Sequence, residues 1–154
     1  MQKINILSVG KLKEAYFSDA ANEYIKRLSA KYQVNEIIIP AAKLPISPNE
    51  KQIEEALKKE EEKILKAIKP GKTVAMCIEG KQLSSENFCE VLNTSETINF
   101  IIGGSFGLSE NVKKCADIML SFSKKTFPHR LFKIMLLEQI YRSYKITLGG
   151  KYHK

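Results

Sequence analysis

The sequence predicts an α/β fold, a mostly parallel sheet with helices on both faces. Two observations carry this. Strand-like stretches alternate with helix-periodic ones along the whole chain, the order of repeated βαβ crossovers. The strand-like stretches are also continuous apolar runs, as expected where both faces of a sheet are covered. A length of 154 residues suits one core. Repeats and long linkers are absent, so residues 1–154 read as a single domain.

KINILSV (3–9) is short, apolar and β-branched, and Gly10 ends it. Residues 11–32 read as a helix, with Leu12, Tyr16, Ala20, Tyr24 and Leu28 along one face. VNEIIIP (34–40) is the second strand, stopped by Pro40. After a proline-rich loop, Ser47 fits an N-cap, with Pro48 at the first helical position and Glu50 completing a capping box. That helix runs to about Lys69 on an apolar face of Ile53, Leu57, Ile64 and Ile68, and its KKEEEK block reads as solvated. Pro70-Gly71 turns the chain into TVAMCIE (73–79), and Gly80 precedes a short helix over 84–93. INFIIG (98–103) is the fourth strand, and Ser109 caps a helical turn reaching Cys115. DIMLSFS (117–123) is the fifth strand, and Pro128 introduces a long helix over 130–147. Leu131, Ile134, Met135, Leu137, Ile140 and Tyr141 crowd its sides, so it should be buried on more than one. LGGKYHK forms a glycine-hinged tail.

Composition excludes several classes of function. No apolar run approaches the roughly 20 residues that cross a bilayer, and nothing reads as a leader, so a cytoplasmic protein is expected. Cys77, Cys89 and Cys115 are widely spaced without a CxxC pair and read as small core residues; no metal site is expected. The net charge of +8 is unevenly placed. Residues 1–112 carry 15 basic and 15 acidic residues, whereas 113–154 carry ten basic residues against Asp117 and Glu138 alone. A concentrated basic surface suits a polyanion, RNA or DNA above all, though composition alone leaves a merely solvated basic face equally open.

Gly103 and Gly104 fall at the carboxyl end of a strand, where open α/β sheets bind ligands. The order G-G-S-F-G fits neither GxGxxG nor GxxxxGK[ST], and no lysine lies in the loop, which disfavours a nucleotide phosphate. A tight turn without ligand and a flat ligand held by backbone groups both remain open. SFSKKTFPHR (121–130) follows the fifth strand and adds hydroxyls, lysines and aromatics. If the strands lie side by side, this loop, the glycine loop and the end of TVAMCIEG would bring Met76 and Gly80 close and enclose an adenosine-like ligand.

The chain resembles the bacterial RlmH family, SPOUT-class methyltransferases acting on N3 of a pseudouridine in large-subunit (23S) ribosomal RNA. The resemblance spans ILSVGKLKEAY, FIIGGSFGLS, LSFSKKTFPH, LLEQIYRSYKI and the terminal YHK. Met76 stands where leucine is common, a volume-conserving change, and Phe106 where a small polar residue is also found. The resemblance implies a C-terminal trefoil knot, which general rules of chain threading would have rejected. It also implies a homodimer and an S-adenosylmethionine pocket lined by Met76, Gly103, Phe122, Ser123, Lys124, Lys125, Thr126 and Phe127.

Methylating N3 of a pseudouridine requires loss of a weakly acidic proton, helped by a base or by donors to the ring oxygens. A tail histidine is ordinarily just solvated. The resemblance instead makes His153 and Tyr152 active-site candidates, acting within the chain or across a dimer. Glu138 and Arg142 are four apart on one helix face: an ordinary i,i+4 ion pair, or a carboxylate aiming a guanidinium at RNA. His129 at its helix start is a packing residue or touches RNA or cofactor; Arg130, Lys133, Arg142, Lys145, Lys151 and Lys154 are further candidates for RNA, in 23S rRNA within the ribosome. The rival from another class is a non-catalytic RNA-binding or ribosome-assembly module. A third option, a nucleotide hydrolase, is disfavoured, for the chain lacks a phosphate-loop lysine and a metal-ligand cluster.

Overall fold

A computed structural model describes residues 1–154. Five strands, β1 (Gln2–Val9), β2 (Tyr32–Ile39), β3 (Lys72–Gln82), β4 (Thr97–Ile102) and β5 (Ile118–Ser121), form one parallel sheet in the order β2-β1-β4-β3-β5. Helices α1 (Ala15–Leu28), α2 (Glu50–Ala67), α3 (Ser85–Leu92) and α4 (Glu110–Cys115) fill the four connections, and α5 (His129–Thr147) follows the last strand. Ile4, Ile6, Val74, Ile98, Phe100 and Ile102 face a core shared with α1, α3 and α5. The alternate positions Leu7, Val9, Ala75 and Ile101 face the smaller core shared with α2 and α4. The strands thus bury both faces, which is why they read as unbroken apolar runs.

The smaller core contains a polar ladder. Asn35, Asn5 and Asn99 lie in register across β2, β1 and β4. Asn35 Nδ2 donates to Asn5 Oδ1 at 2.9 Å, and Asn5 Nδ2 to Asn99 Oδ1 at 3.0 Å. Asn99 Nδ2 then donates to the Lys69 carbonyl at 2.8 Å, tying α2's exit to the sheet. Each amide is satisfied, so the row fixes register instead of weakening the core.

Several local expectations are corrected. The first helix is shorter than 11–32, and its inward face is only partly the expected one: Leu12, Tyr24 and Leu28 pack on the core, joined by Ala21 and Ile25, while Tyr16 is 67% exposed. The inward seam therefore combines small and apolar residues with Tyr24, whose ring lies 6.0 Å from that of Tyr141. The second helix is capped by Asn49, not Ser47. Asn49 accepts from the Gln52 N–H while the Gln52 side chain accepts from the Asn49 N–H, a reciprocal box. The KKEEEK block is not uniformly solvated: Glu60 is buried, its Oε2 accepting from the Ala42 N–H at 2.9 Å. Cys115 is exposed and Cys77 half-buried, leaving Cys89 as the core cysteine. Ser84 and Ser109 cap α3 and α4, the latter as expected. Helix α5 buries Leu136, Leu137, Ile140 and Tyr141 between α1 and α3, which explains its apolar residues on several sides.

Candidate functional site

The site lies at the carboxyl ends of β3, β4 and β5. Met76 pairs with Ile102 on one side and Leu120 on the other, so the loops leaving these strands open side by side. Between them is a cavity of about 790 Å³. Its walls come from Met76–Glu79, from Ile102–Leu108 and from the segment 121–129.

The glycine loop is set by its own backbone. The Gly107 N–H donates to the Gly104 carbonyl at 3.1 Å, and Gly107 sits at φ +74°. A Cβ on Gly103 would stand 2.4 Å from the Gly107 carbonyl oxygen. Glycine at 103 is therefore demanded by the turn itself, and the loop presents its edge to the cavity as a consequence. The segment after β5 is equally fixed. Ser121 Oγ donates to the Ser123 carbonyl at 2.9 Å, and Ser123 Oγ accepts from the Lys125 N–H at 3.1 Å. Phe122 stacks on Phe132 with centroids 4.9 Å apart.

Seven of the eight residues expected around the cofactor line this one cavity: Met76, Gly103, Phe122, Ser123, Lys125, Thr126 and Phe127. Lys124 is exposed and lies off the wall. Gly80 does not join the cavity either. A Cβ there would fall 2.6–2.8 Å from the backbone of Leu120 and Met119, so it permits β3 to cross closely over β5 where their register slips. Sequence reasoning missed Glu79 and Lys113, which form an ion pair at the cavity wall. Lys113 holds Glu79 below the usual carboxylate range. Burial pulls the Lys113 ammonium down, but Glu79 and Glu110 outweigh it and leave it raised. Burial, with Glu79 beside it, pushes the Cys77 thiol up, which keeps it protonated and unreactive. The only sequence signal for this pair was a carboxylate at a strand end; its lysine lies 34 residues further on.

The candidate catalytic residues form one cluster. Glu138 accepts from Arg142 Nε at 2.8 Å and from the Tyr152 hydroxyl at 2.7 Å. The Arg142 guanidinium lies 4.9 Å from the Tyr152 ring centroid. His153 Nδ1 is 3.2 Å from Arg142 Nη1, and its Nε2 is 2.6 Å from Glu86 Oε1. Because guanidinium only donates, Nδ1 accepts and the ring proton sits on Nε2, facing Glu86. Burial, then the hydrogen bond to Glu138, raises the Tyr152 phenol to about 12. A smaller cavity of about 310 Å³ reaches Glu138 and shares Ser121 and Phe122 with the larger one. The i,i+4 ion pair of Glu138 and Arg142 is therefore formed, with the guanidinium also against the Tyr152 ring and His153.

The basic candidates divide. Lys133 is 2% exposed, its Nζ 2.5 Å from Glu36 Oε2 but off hydrogen-bonding direction, so it is not available at the surface. Arg130 is tied to Glu14. His129 lines the large cavity, and burial, then the Arg130 charge, pulls it below its usual value. Lys145 is half-buried beside the rings of Tyr141 and Tyr144. Lys124, Lys125, Lys151 and Lys154 are exposed and free of ion pairs. No group of three metal-ligating side chains converges anywhere, and no helix is long and apolar enough to cross a membrane.

A parallel sheet with a backbone-lined cavity at its carboxyl edge, lacking a phosphate cradle, defines an α/β domain built to hold an organic ligand there. The chain belongs to the SPOUT methyltransferase family, in the RlmH group that its sequence resembles: the model described as "Predicted SPOUT methyltransferase" matches residues 2–153. A relative from Caldicellulosiruptor bescii named "Ribosomal RNA large subunit methyltransferase H" is 51% identical, with 98% of this chain and 99% of that one covered. A protein of the same name from Caldicellulosiruptor saccharolyticus is 49% identical over the same shares. Among solved structures, a "probable methylase family protein" from Haemophilus influenzae superposes with a TM-score of 0.55 at 11% identity, covering 98% of this chain and 70% of that one, a likeness of fold.

Proposed function

We propose that this protein transfers a methyl group from S-adenosylmethionine to N3 of a pseudouridine in large-subunit (23S) ribosomal RNA. The observation that carries the reading is the convergence of Met76, Gly103 and the 122–127 segment on one cavity from three separate strand ends. The residues present fit the donor. The volume of about 790 Å³ is ample for it, the loop backbones offer hydrogen-bonding edges, and the Glu79–Lys113 pair at the wall complements a ligand carrying both charges. Met76, Gly103, Phe122, Ser123, Lys125, Thr126 and Phe127 would hold it. When bound, it supplies an electrophilic methyl on a sulfonium.

The chain's own groups supply alignment and charge. The 121–128 segment is pinned by Phe122 and by the Ser121 and Ser123 hydroxyls, so its walls are set before any ligand enters. Arg142, aimed by Glu138, keeps N–H groups suited to the negative charge that develops on a uracil ring as N3 loses its proton, while Tyr152, whose hydroxyl proton goes to Glu138, packs against the guanidinium. His153 is oriented by Arg142 and Glu86; as Arg142 turns from it to the ring, Nδ1 takes the N3 proton and Nε2 passes its own to Glu86. The exposed lysines at 124, 125, 151 and 154 supply phosphate contacts, and a homodimer doubles them, placing one copy's tail near the other's cavity. The reading includes the knotted C-terminal crossing of SPOUT proteins and action in the cytoplasm on the ribosome.

The test is incubation with large ribosomal subunits and methyl-labelled S-adenosylmethionine, followed by mass mapping of the RNA. One methylated pseudouridine is expected. Calorimetry that shows RNA binding without donor binding would instead support the non-catalytic module.

A further inference from the structure

A second cleft, of about 310 Å³, opens on the far side of the glycine loop, between the carboxyl ends of β1 and β2 and the start of α2. We propose that this cleft is a nucleotide subsite, holding a residue of the RNA next to the one that is methylated; this rests on the function proposed above.

The cleft has the parts such a site needs. Its walls are apolar, from Leu44, Ile53 and Leu57. Glu60 lies at the wall with its Oε2 on the Ala42 N–H, and its other oxygen has no partner in the chain, so it is left to accept an N–H from a base edge. Burial raises this carboxyl, in keeping with a shielded position. Lys11 and Lys13 stand at the rim, exposed and without ion pairs. They belong to the N-terminal portion, where basic and acidic residues cancel, so summed charge hid them.

Continuity with the larger cavity sets the partner. Gly104, Ser105, Phe106 and His129 line both spaces. Phe106 is 47% exposed on the dividing loop, an aromatic face available for a base to stack on. A strand with one base brought to the mouth of the larger cavity, beside the donor, would lay its neighbour across Phe106, with its phosphates toward Lys11 and Lys13. Single-stranded RNA is recognised in this way, by splayed bases on aromatic side chains with cations along the backbone.

Two variants test this, each changing exposed positions: the double Lys11→Ala/Lys13→Ala, and Ala41→Trp, which fills the cleft from its loop. The probe is a large-subunit ribosomal RNA fragment, with affinity measured from low to high salt. Both variants should bind about tenfold more weakly. The double variant should also show a log K against log salt slope shallower by about 1.4, at roughly 0.7 per lost phosphate contact on a single strand. KM for RNA should rise in parallel, with donor affinity by calorimetry unchanged. Wild-type RNA affinity and salt slope in both variants would overturn the subsite and leave the cleft to another class of partner. A wild-type protein that binds RNA but no S-adenosylmethionine would sink the proposed function, while the salt slopes would still decide the cleft.

Discussion

Replacing Gly103 by alanine separates two reasons for a glycine at a strand end. If glycine were there only to let a ligand approach, a methyl would shrink the cavity and leave the fold untouched. The structure gives a different expectation. The added Cβ would lie 2.4 Å from the Gly107 oxygen and 2.5 Å from its carbonyl carbon. Ordinary contact begins near 3.5 Å, so the loop must open by about 1 Å. It has little room to yield, because Gly104 already lies against Val9, a Cβ there falling 3.2 Å from Val9 Cγ1. Overpacking of this kind costs about 2 kcal/mol, or a Tm lower by roughly 4–8 °C in a chain of this size. The same shift moves the cavity wall, and a 1 Å misplacement costs on the order of 10²-fold in rate. Gly107→Ala is the comparison: its Cβ meets nothing within 4 Å, and only φ +74° penalises it, by about 1 kcal/mol. Thermal melts and labelled methyl transfer read both. A Gly103→Ala protein with wild-type Tm and kcat would refute the steric argument.

Asn99→Ala should be among the most destabilising polar substitutions. It strips the acceptor from the buried Asn5 amide and the donor from the Lys69 carbonyl, a loss of about 2–4 kcal/mol in urea unfolding. His129 should titrate below 6.5 by NMR, as burial and Arg130 favour its neutral form. Since its folded value is depressed, the stability it contributes is complete above 6.5 and is lost as pH falls through the folded value, so His129→Gln should flatten that acid slope. Tyr152→Phe removes the hydroxyl from Glu138; at this partly exposed site the loss is about 1 kcal/mol. It should appear as faster proteolysis of residues 149–154 and a lower kcat, with no fall in global Tm. In the wild type, the Tyr152 phenol should ionise near 12, seen as a late step in alkaline difference absorbance.

By itself the sequence determined what depends on near neighbours along the chain. The alternation of strands and helices, the serine cap at Ser109, and the glycine and SFSKKTF loops at strand ends follow from period, capping chemistry and backbone freedom. The resemblance singled out eight candidate pocket residues that spacing could not, and seven of the eight line one cavity. Tertiary structure decided everything that needs two distant segments. Only the order β2-β1-β4-β3-β5 places β3 between β4 and β5 and so brings Met76 to Gly103 and Thr126. Only packing chose Ala21 over Ala20 as the inward face of α1, because both registers satisfy a 3.6-residue period. Burial of Glu60 within a charged block, of Lys133 against Glu36, and the pairing of Glu79 with Lys113 were illegible for the same reason. A side chain's chemistry is written in its own position, but the dielectric and the partner that give it a role come from residues far away in sequence.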